Sequence, residues 1–224
     1  MKKKIGTITI GQSPRVDVVP EIKSVLGDNI EIVETGALDG LTRGEIESFK
    51  IEDNDYILVS RLQDGTSVKF AERNILLRLQ KCIEKLENSG VEIIVFICTG
   101  CFPPVFKSNR LLIYPQTILH SVVPNLASSN KIGVFTPLCN QIRQTYDKWS
   151  ESGKDIEVIA ASPYESIEKI KKAALDMKEK NVDVIVMDCI GYNLKMKNMV
   201  RDITGKPVIL PRTLIGRIIK EMLD

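Results

Sequence analysis

Two cysteines stand at the ends of two segments that nearly repeat each other. Residues 91–100, VEIIVFICTG, match residues 182–191, VDVIVMDCIG, and the match aligns Cys98 with Cys189. Each segment is an unbroken run of β-branched and other apolar residues, which is typical of a buried strand in a parallel sheet. The carboxyl ends of such strands lie on the ligand-binding side of an open α/β sheet. Two thiols at matched positions therefore indicate general acid–base chemistry at a carbon held between two sulfurs.

Each of these cysteines is followed two residues later by a glycine, at which the chain must turn. Peptide N–H groups in such turns stabilise a thiolate or a developing oxyanion. We expect Thr99 and Gly100 to supply them beside one sulfur, and Gly191 and Tyr192 beside the other. A single cysteine is more often a small buried hydrophobe than a catalytic group, so this prediction depends on the repeat.

The other cysteines and the histidine leave alternatives open. Cys98 and Cys101 form a Cys-x-x-Cys pair, which is compatible with a redox or a zinc-binding role. No second such pair is present and His120 is the only histidine, so a four-ligand zinc site is poorly supplied and no metal site is predicted. Cys82 lies on an apolar helical stripe and is expected in the core. Cys139 follows a predicted strand, and no role is assigned to it.

Polar residues near the two thiols are candidates for substrate binding. The loop over residues 9–15 carries a guanidinium that can bind a carboxylate bidentately. Asp188 precedes Cys189, has no acidic counterpart at Ile97, and is costly to bury unless it is paired. The candidate substrate-binding residues are Gln12, Ser13, Arg15, Thr99, Gly100, Thr136, Gly191 and Tyr192, and the candidate accessory residues are Arg61, Thr66 and Asp188.

The elements that must position these residues alternate between strand and helix. Residues 4–9 and 131–136 resemble each other and are predicted to be the first strand of each half. Residues 67–88 and 164–180 carry apolar side chains at helical spacing directly before the cysteine-bearing strands. This order favours parallel sheets with helices on both faces. The predicted fold class is α/β, with two pseudo-symmetric three-layer αβα domains and an active-site cleft between them.

The first half is longer than the second and is predicted to hold additional elements. They are a strand at residues 31–35, a short helix at 42–49 and a hairpin at about 56–70 with an Asp-Gly turn. Whether this hairpin is an active-site flap or a plain surface connection stays open. The expected first domain is 1–116 with 208–224, the expected second domain is 117–207, and the expected crossover lies within 115–130.

Composition argues against several functional classes. The 224 residues include 31 basic and 29 acidic side chains, and the net charge of +2 gives no electrostatic footprint for nucleic acid or an anionic membrane. No apolar run reaches the roughly 20 residues of a membrane-spanning helix. The five cysteines have no disulfide spacing, so a reducing cytoplasmic location is expected. Dinucleotide-binding, P-loop and nucleophile-elbow motifs are absent, which favours chemistry without a cofactor.

Three segments resemble the AroM family, within the aspartate/glutamate/hydantoin racemase superfamily. They are residues 5–17, IGTITIGQSPRVD, residues 184–192, VIVMDCIGY, and residues 207–214, PVILPRTL. The resemblance extends over the whole chain. It implies two similar α/β domains, a small carboxylate substrate, and proton transfer at the α-carbon without pyridoxal phosphate or metal. It also implies that Cys98 is the first-domain thiol and Cys189 the second, and a homodimer is common in the superfamily.

The chain departs from the superfamily pattern beside both thiols. Superfamily racemases show Cys-Asn-Thr and Cys-Thr at these points, whereas this chain has Cys98-Thr-Gly and Cys189-Ile-Gly. Some superfamily members keep one thiol and act as decarboxylases or isomerases. The sequence therefore predicts a cofactor-independent racemase, epimerase or related lyase acting on a small carboxylate. The alternatives are a non-catalytic small-molecule-binding protein, an enzyme using one thiol, and a redox protein using Cys98 and Cys101.

Overall fold

Strands and helices alternate along most of the chain in a computed structural model, which describes residues 3–127 and 131–224. The strands are β1 (Lys3–Thr9), β2 (Ile30–Gly36), β3 (Ile57–Arg61), β4 (Ser67–Ala71), β5 (Ile93–Phe96), β6 (Leu111–Ile113), β7 (Lys131–Thr136), β8 (Asp155–Ala160), β9 (Val184–Met187) and β10 (Val208–Ile209). The α-helices are α1 (Val19–Leu26), α2 (Arg43–Glu47), α3 (Leu76–Asn88), α4 (Pro115–Val122), α5 (Ile142–Ser150), α6 (Ile167–Lys178), α7 (Leu194–Thr204) and α8 (Pro211–Leu223). The predicted α/β class with parallel sheets is confirmed.

The chain divides into two compact units, Met1–Pro115 with Gly216–Asp224, and Gln116–Ile215. The sequence pattern places the return to the first unit at residue 208. In the structure β10 pairs with β9, so this strand completes the second sheet, and the chain returns to the first unit inside α8. The expected crossover at 115–130 holds α4 over its first part, and residues 128–130 lie outside the described residues.

The first unit contains a four-stranded parallel sheet in the order β2-β1-β5-β6. Strand β1 is buried on both faces from Ile5 to Thr9, as expected for a sheet covered by helices. Helix α3 approaches β1 closely at Gly6, where an added Cβ would lie 2.8 Å from Cδ1 of Leu86. Strand β5, which Cys98 follows by two residues, lies directly beside β1.

The second unit repeats this arrangement with the order β10-β9-β7-β8, again parallel. Helix α6 approaches β7 at Gly133, where an added Cβ would lie 2.7 Å from Sδ of Met177. Gly6 and Gly133 occupy equivalent positions of the repeated first strand, so the same close helix packing is built twice. On the opposite face of β7, Ile132 and Val134 pack in one cluster with Trp149 of α5, which makes three layers.

The first unit also carries a two-stranded antiparallel hairpin formed by β3 and β4. Its turn contains Asp64 and Gly65, and Gly65 has φ +85°, a left-handed conformation that glycine adopts without strain. The sequence signal for residues 67–88 therefore divides into a strand followed by α3. Across residues 3–127 and 131–224, the structure has no helix with both the length and the apolar character needed to cross a membrane.

Candidate functional site

The first thiol lies in a turn that follows β5. Cys98 comes two residues after the end of β5 and is 8% exposed. The backbone N–H of Gly100 donates a hydrogen bond to Sγ of Cys98 at 3.3 Å. A Cβ on Gly100 would lie 2.6 Å from Cδ2 of Leu58, so a larger residue here would displace the Leu58 side chain. The turn thus places a peptide donor against the sulfur, as expected for a site that stabilises a thiolate.

The hairpin packs against this turn. The hydroxyl of Tyr56 accepts a hydrogen bond from the backbone N–H of Cys101 at 3.2 Å. Leu58 of β3 and Cys98 belong to one buried apolar cluster. The hairpin is therefore in contact with the thiol-bearing segment, and its first strand helps to hold residues 98–101 in place.

The second thiol has a matching environment. Cys189 comes two residues after the end of β9 and is 7% exposed. The backbone N–H of Gly191 donates to Sγ of Cys189 at 3.4 Å. A Cβ on Gly191 would lie 2.6 Å from Oη of Tyr164 and 2.9 Å from Cγ of Pro163, so a larger residue here would displace these side chains. Helix α7 begins only at Leu194, so the N–H group comes from the turn itself.

A buried arginine holds the second turn, and the sequence prediction did not include it. Arg212, at the start of α8, is fully buried and donates through Nε and Nη2 to the carbonyl of Ile190 at 3.0 and 2.7 Å. Its Nη2 also donates to the carbonyl of Gly191 at 2.9 Å. The sequence feature that could have indicated this role is the position of Arg212 between an apolar run that ends at Leu210 and the apolar face of a helix. Such a position implies burial and a specific partner.

Asp188 is paired, as its burial requires. Its Oδ2 lies 2.5 Å from Nζ of Lys148 and accepts a hydrogen bond from Nε1 of Trp149 at 2.7 Å. The side chains of Asp188 and Lys148 are 1% and 8% exposed. Asp188 therefore connects the end of β9 to α5, one residue before the thiol.

His120 stacks against the same tryptophan. The His120 and Trp149 rings have centroids 4.2 Å apart, and Nε2 of His120 is buried without a hydrogen-bond partner among the described residues. Burial, aided by the nearby charge of Lys148, lowers the pKa of His120 from 6.5 to about 4. The imidazole is thus neutral in the folded protein near neutral pH.

This histidine gives a testable pH dependence. Because the unfolded chain takes up the proton first, the stability present above pH 6.5 is lost as the pH falls through about 4. We expect the free energy of unfolding to fall by about 2 kcal/mol over this range. This is less than the full pKa shift of His120 would give, because the ring is partly exposed to solvent. His120→Phe keeps a ring on Trp149 and removes the titration. Urea unfolding of both proteins across this pH range measures the difference, and a constant difference would contradict the prediction.

Two predicted residues of the second unit have structural partners. Tyr192 is fully buried, and its hydroxyl donates to the carbonyl of Ala161 at 2.7 Å. Burial, followed by the neighbouring Cys189 and Asp188, raises the pKa of Tyr192 well above its usual value. Thr136 ends β7, and its hydroxyl accepts from the hydroxyl of Thr145 at 2.9 Å.

Arg15 already binds a carboxylate of the chain itself. Its Nε and Nη2 donate to Oδ1 and Oδ2 of Asp17 at 2.8 and 2.9 Å, and its Nη1 donates to the Thr9 hydroxyl at 3.0 Å. Burial opposes ionisation of Asp17, but the Arg15 guanidinium outweighs it and lowers the pKa of the Asp17 carboxyl. The bidentate face of Arg15 is therefore directed at Asp17 in this structure, and a contact of Arg15 with a substrate carboxylate stays a prediction.

Ser13 and Gln12 hold the same loop together. The backbone N–H and hydroxyl of Ser13 donate to the Asp39 carboxylate at 2.7 and 2.6 Å. Gln12 donates to the carbonyl of Leu41 at 3.2 Å and accepts from the N–H of Gln63 at 3.0 Å, which ties the loop to the hairpin. In the structure these two side chains position the loop.

The accessory residues of the hairpin stabilise its turn. Nε of Arg61 donates to the carbonyl of Gly65 at 2.8 Å, and the N–H of Thr66 donates to Asp64 at 2.8 Å. Among the remaining cysteines, Cys82 is buried in the core as predicted, and Cys139 is exposed. Within the part of the chain that the structure describes, no three His, Cys, Asp or Glu side chains come together as a metal-binding group.

The fold is shared with solved enzymes. A maleate isomerase from Pseudomonas putida superposes with a TM-score of 0.65 at 15% identity, covering 99% of this chain and 93% of the other. A glutamate racemase from Aquifex pyrophilus gives 0.61 at 17% identity, with coverage of 99% and 84%. An arylmalonate decarboxylase gives 0.61 at 12% identity, with coverage of 96% and 90%. At these identities the likeness establishes the fold alone.

The sequence itself establishes a family. A search of curated proteins finds no match. The family model described as AroM protein matches residues 5–223, which is nearly the whole chain. The structures that share its fold include members of the aspartate/glutamate racemase superfamily, in agreement with the resemblance found in the sequence. This chain belongs to the AroM family.

Proposed function

We propose that this protein is a cofactor-independent racemase or epimerase that moves a proton at the α-carbon of a small carboxylate. Cys98 and Cys189 are the proposed acid–base pair. The observation that carries the proposal is the duplicated thiol turn. Cys98 follows β5, which pairs with β1, and Cys189 follows β9, which pairs with β7. In each turn the cysteine sulfur accepts a hydrogen bond from the backbone N–H of the glycine two residues later.

The duplicated turn suits proton transfer in both directions. One thiolate takes the α-proton and becomes a thiol, while the electron pair remains on the substrate as a carbanion or enediolate. The second thiol then delivers its proton to the opposite face of the carbon and becomes a thiolate. The reaction is balanced, and the enzyme returns to its starting state when the next substrate has the opposite configuration or when protons exchange with water.

The sulfur environments support this role. A thiolate is the reactive base, and a peptide N–H directed at the sulfur favours the charged form. Both cysteines are nearly buried, which strengthens such hydrogen bonds relative to water. The α-proton of a carboxylate is weakly acidic, so donors must also stabilise the developing enediolate. Thr99 and Thr136 are the proposed side-chain donors, since both are buried, Thr99 in the turn after β5 and Thr136 at the end of β7.

The carboxylate-binding role proposed for Arg15 requires release of Asp17 or shared use of its N–H groups, because Asp17 occupies its bidentate face. We therefore assign Arg15, Gln12 and Ser13 to positioning of the loop and hairpin. The turn peptides of Gly100, Gly191 and Tyr192 are proposed to line the substrate site. Because Cys98 is followed by Thr-Gly and Cys189 by Ile-Gly, the preferred carboxylate is expected to differ from an ordinary amino acid.

Proteins with this fold perform related chemistry. The similar solved structures are those of an isomerase, a racemase and a decarboxylase. All three names are compatible with a carbanion-like intermediate next to a carboxylate. This supports a racemase or isomerase type of activity for the present chain. The more specific proposal of a racemase or epimerase depends on the presence of the two thiols.

Proton exchange in deuterium oxide tests the proposal. Enantiopure small α-amino, α-hydroxy and α-aryl carboxylates are incubated with the protein, and the α-proton signal and the optical rotation are followed. We expect loss of the α-proton together with inversion for at least one substrate. The variant Cys98→Ser/Cys189→Ser is expected to lose both, whereas Cys139→Ser, which changes an exposed thiol, is expected to keep them.

Other outcomes distinguish the alternatives. Exchange that persists in the double variant would contradict the proposal. Carbon dioxide release from a substituted malonate, without inversion of the other substrates, would indicate a decarboxylase using one thiol. Thermal stabilisation by panel members without exchange would indicate a binding protein.

A further inference from the structure

One peptide group connects the buried arginine to the second thiol. The carbonyl of Ile190 and the N–H of Gly191 belong to the same peptide. Its carbonyl accepts two hydrogen bonds from Arg212, and its N–H donates to Sγ of Cys189 at 3.4 Å. Because a trans peptide is planar, its C=O and N–H point in opposite directions. The guanidinium and the sulfur therefore lie at the two ends of one peptide dipole.

This arrangement has an electrostatic consequence. A cation at the carbonyl end polarises the peptide and makes its N–H a stronger donor, as in other chains of hydrogen bonds in a low-dielectric interior. A stronger donor favours the negative thiolate over the neutral thiol. The guanidinium contributes its own positive charge as well, and Arg212 is fully buried, so water screens this charge little.

The third hydrogen bond fixes the orientation of the peptide. Nη2 of Arg212 also donates to the carbonyl of Gly191 at 2.9 Å. Two consecutive carbonyls are thus held by one planar guanidinium, which a lysine cannot reproduce with a single ammonium group. The rotation of the Ile190–Gly191 peptide, and with it the direction of the N–H, is determined by this contact.

We propose that Arg212 is a positioning residue that holds the Ile190–Gly191 peptide so that its N–H stabilises the thiolate of Cys189. The inference rests on the proposed role of Cys189 in proton transfer and adds a residue that acts through the turn. It also predicts an asymmetry between the two thiols. Arg212 donates to the carbonyls of Ile190 and Gly191 in the turn that carries Cys189, so its loss is expected to change Cys189 more than Cys98.

Other charged and titratable groups surround Cys189 and must be kept constant. Asp188 lies next to it in sequence and is neutralised by Lys148 at 2.5 Å. The Tyr192 phenol interacts with Cys189 and stays protonated because it is buried. The Tyr164 hydroxyl lies close to Gly191. None of these side chains is changed in the test that follows.

Alkylation with iodoacetamide measures the thiolate without any substrate. The rates at Cys189 and Cys98 are followed by peptide mass spectrometry between about pH 6 and 10. For Arg212→Met we expect the pH midpoint at Cys189 to rise by about one unit, so that alkylation below the midpoint slows about tenfold. The midpoint at Cys98 should rise less than the midpoint at Cys189. At high pH the thiol is fully ionised, so the plateau rate reports how accessible the sulfur is to the reagent. A change in the midpoint without a change in the plateau therefore reports thiolate stabilisation.

Two further variants keep the test decisive. Arg212→Lys retains the charge but cannot hold both carbonyls, so we expect a smaller rise in the pH midpoint of alkylation at Cys189. This variant tests the proposal even if Arg212→Met does not fold. Arg201→Met removes a guanidinium from the same unit, where it is exposed and paired with Asp202, and should have no effect.

The inference is overturned if both folded Arg212 variants keep the wild-type midpoint at Cys189, or if both thiols shift equally. Because the readout needs no turnover, a shift at Cys189 alone supports the role of Arg212 even where no substrate exchanges its proton. Lack of exchange would then contradict the proposed function alone.

Discussion

Single replacement of either thiol is expected to abolish racemisation while leaving exchange of one enantiomer. With Cys98→Ser, the remaining thiol of Cys189 can still remove and return a proton on its own face of the substrate. Inversion is lost because the opposite face has no competent acid, since serine is far less acidic than cysteine. Loss of one general acid–base group typically costs about 10²–10⁴-fold in rate.

The two single variants should be complementary. If Cys98→Ser exchanges the α-proton of one enantiomer with retention, Cys189→Ser should exchange that of the other. The measurement is proton loss from each enantiopure substrate in deuterium oxide, with chiral analysis of the product. Two variants that exchange the same enantiomer at equal rates would show that neither thiol is essential on that face, and would contradict the assignment of one thiol to each face.

The thiol turns illustrate what sequence alone can predict. The repeat of residues 91–100 in residues 182–191 contains buried strands, a cysteine and a glycine at fixed spacing, and each of these has a local physical cause. A run of β-branched residues forms a strand, and a Cβ at Gly100 or Gly191 would come within 2.6 Å of a neighbouring side chain. Both strands, both turns and both N–H donors could therefore be anticipated from the repeat.

The side-chain partners could not be predicted in the same way. The Arg15 guanidinium is able to bind a substrate carboxylate, but in the structure it donates two hydrogen bonds to Asp17. This contact depends on the path of the loop, which the sequence does not reveal. Arg212 lies more than twenty positions from Cys189 in the chain, and its role depends on α8 beginning next to the turn at residues 189–191. Such partners depend on tertiary placement, which neither periodicity nor spacing encodes.

The boundary between the units shows a related limit. The two-residue strand β10 is too short to carry a pairing signal, and its sequence is compatible with either sheet. Its register, Val208 opposite Ile185, assigns it to the second sheet. The chain then continues into α8 and returns to the first unit at Gly216, where Val25 of α1 lies 3.1 Å from the position of an added Cβ.

Removal of the Asp188 carboxylate is expected to cause the largest loss of stability of any substitution considered. Asp188→Ala takes away the group that faces the Lys148 ammonium at 2.5 Å and accepts from Nε1 of Trp149 at 2.7 Å. Both side chains of the ion pair are almost fully buried, so water cannot replace the lost partner. Breaking a buried pair from one side typically costs about 3–5 kcal/mol, a large share of the stability of a domain. Urea unfolding at pH 7 measures the change.

Companion variants separate charge from hydrogen bonding. Asp188→Asn keeps an acceptor for Trp149 but removes the charge, and should cost less than Asp188→Ala. Replacing both partners, with Lys148→Met and Asp188→Leu together, should also cost less, because it leaves no charge in an apolar site. A double variant as unstable as Asp188→Ala would contradict this account and would place the cost in packing.

An exposed pair on the same helix provides the matched control. Arg143 and Asp147 of α5 lie 3.0 Å apart with side chains 86% and 52% exposed. Asp147→Ala should change the free energy of unfolding by no more than about 0.5 kcal/mol, because water solvates the remaining arginine. The contrast between Asp147 and Asp188 isolates burial as the cause, since both carboxylates pair with a cation carried by α5. The residue that precedes the second thiol is therefore expected to hold the end of β9 in place, and a large cost at Asp188 would support this anchoring by α5.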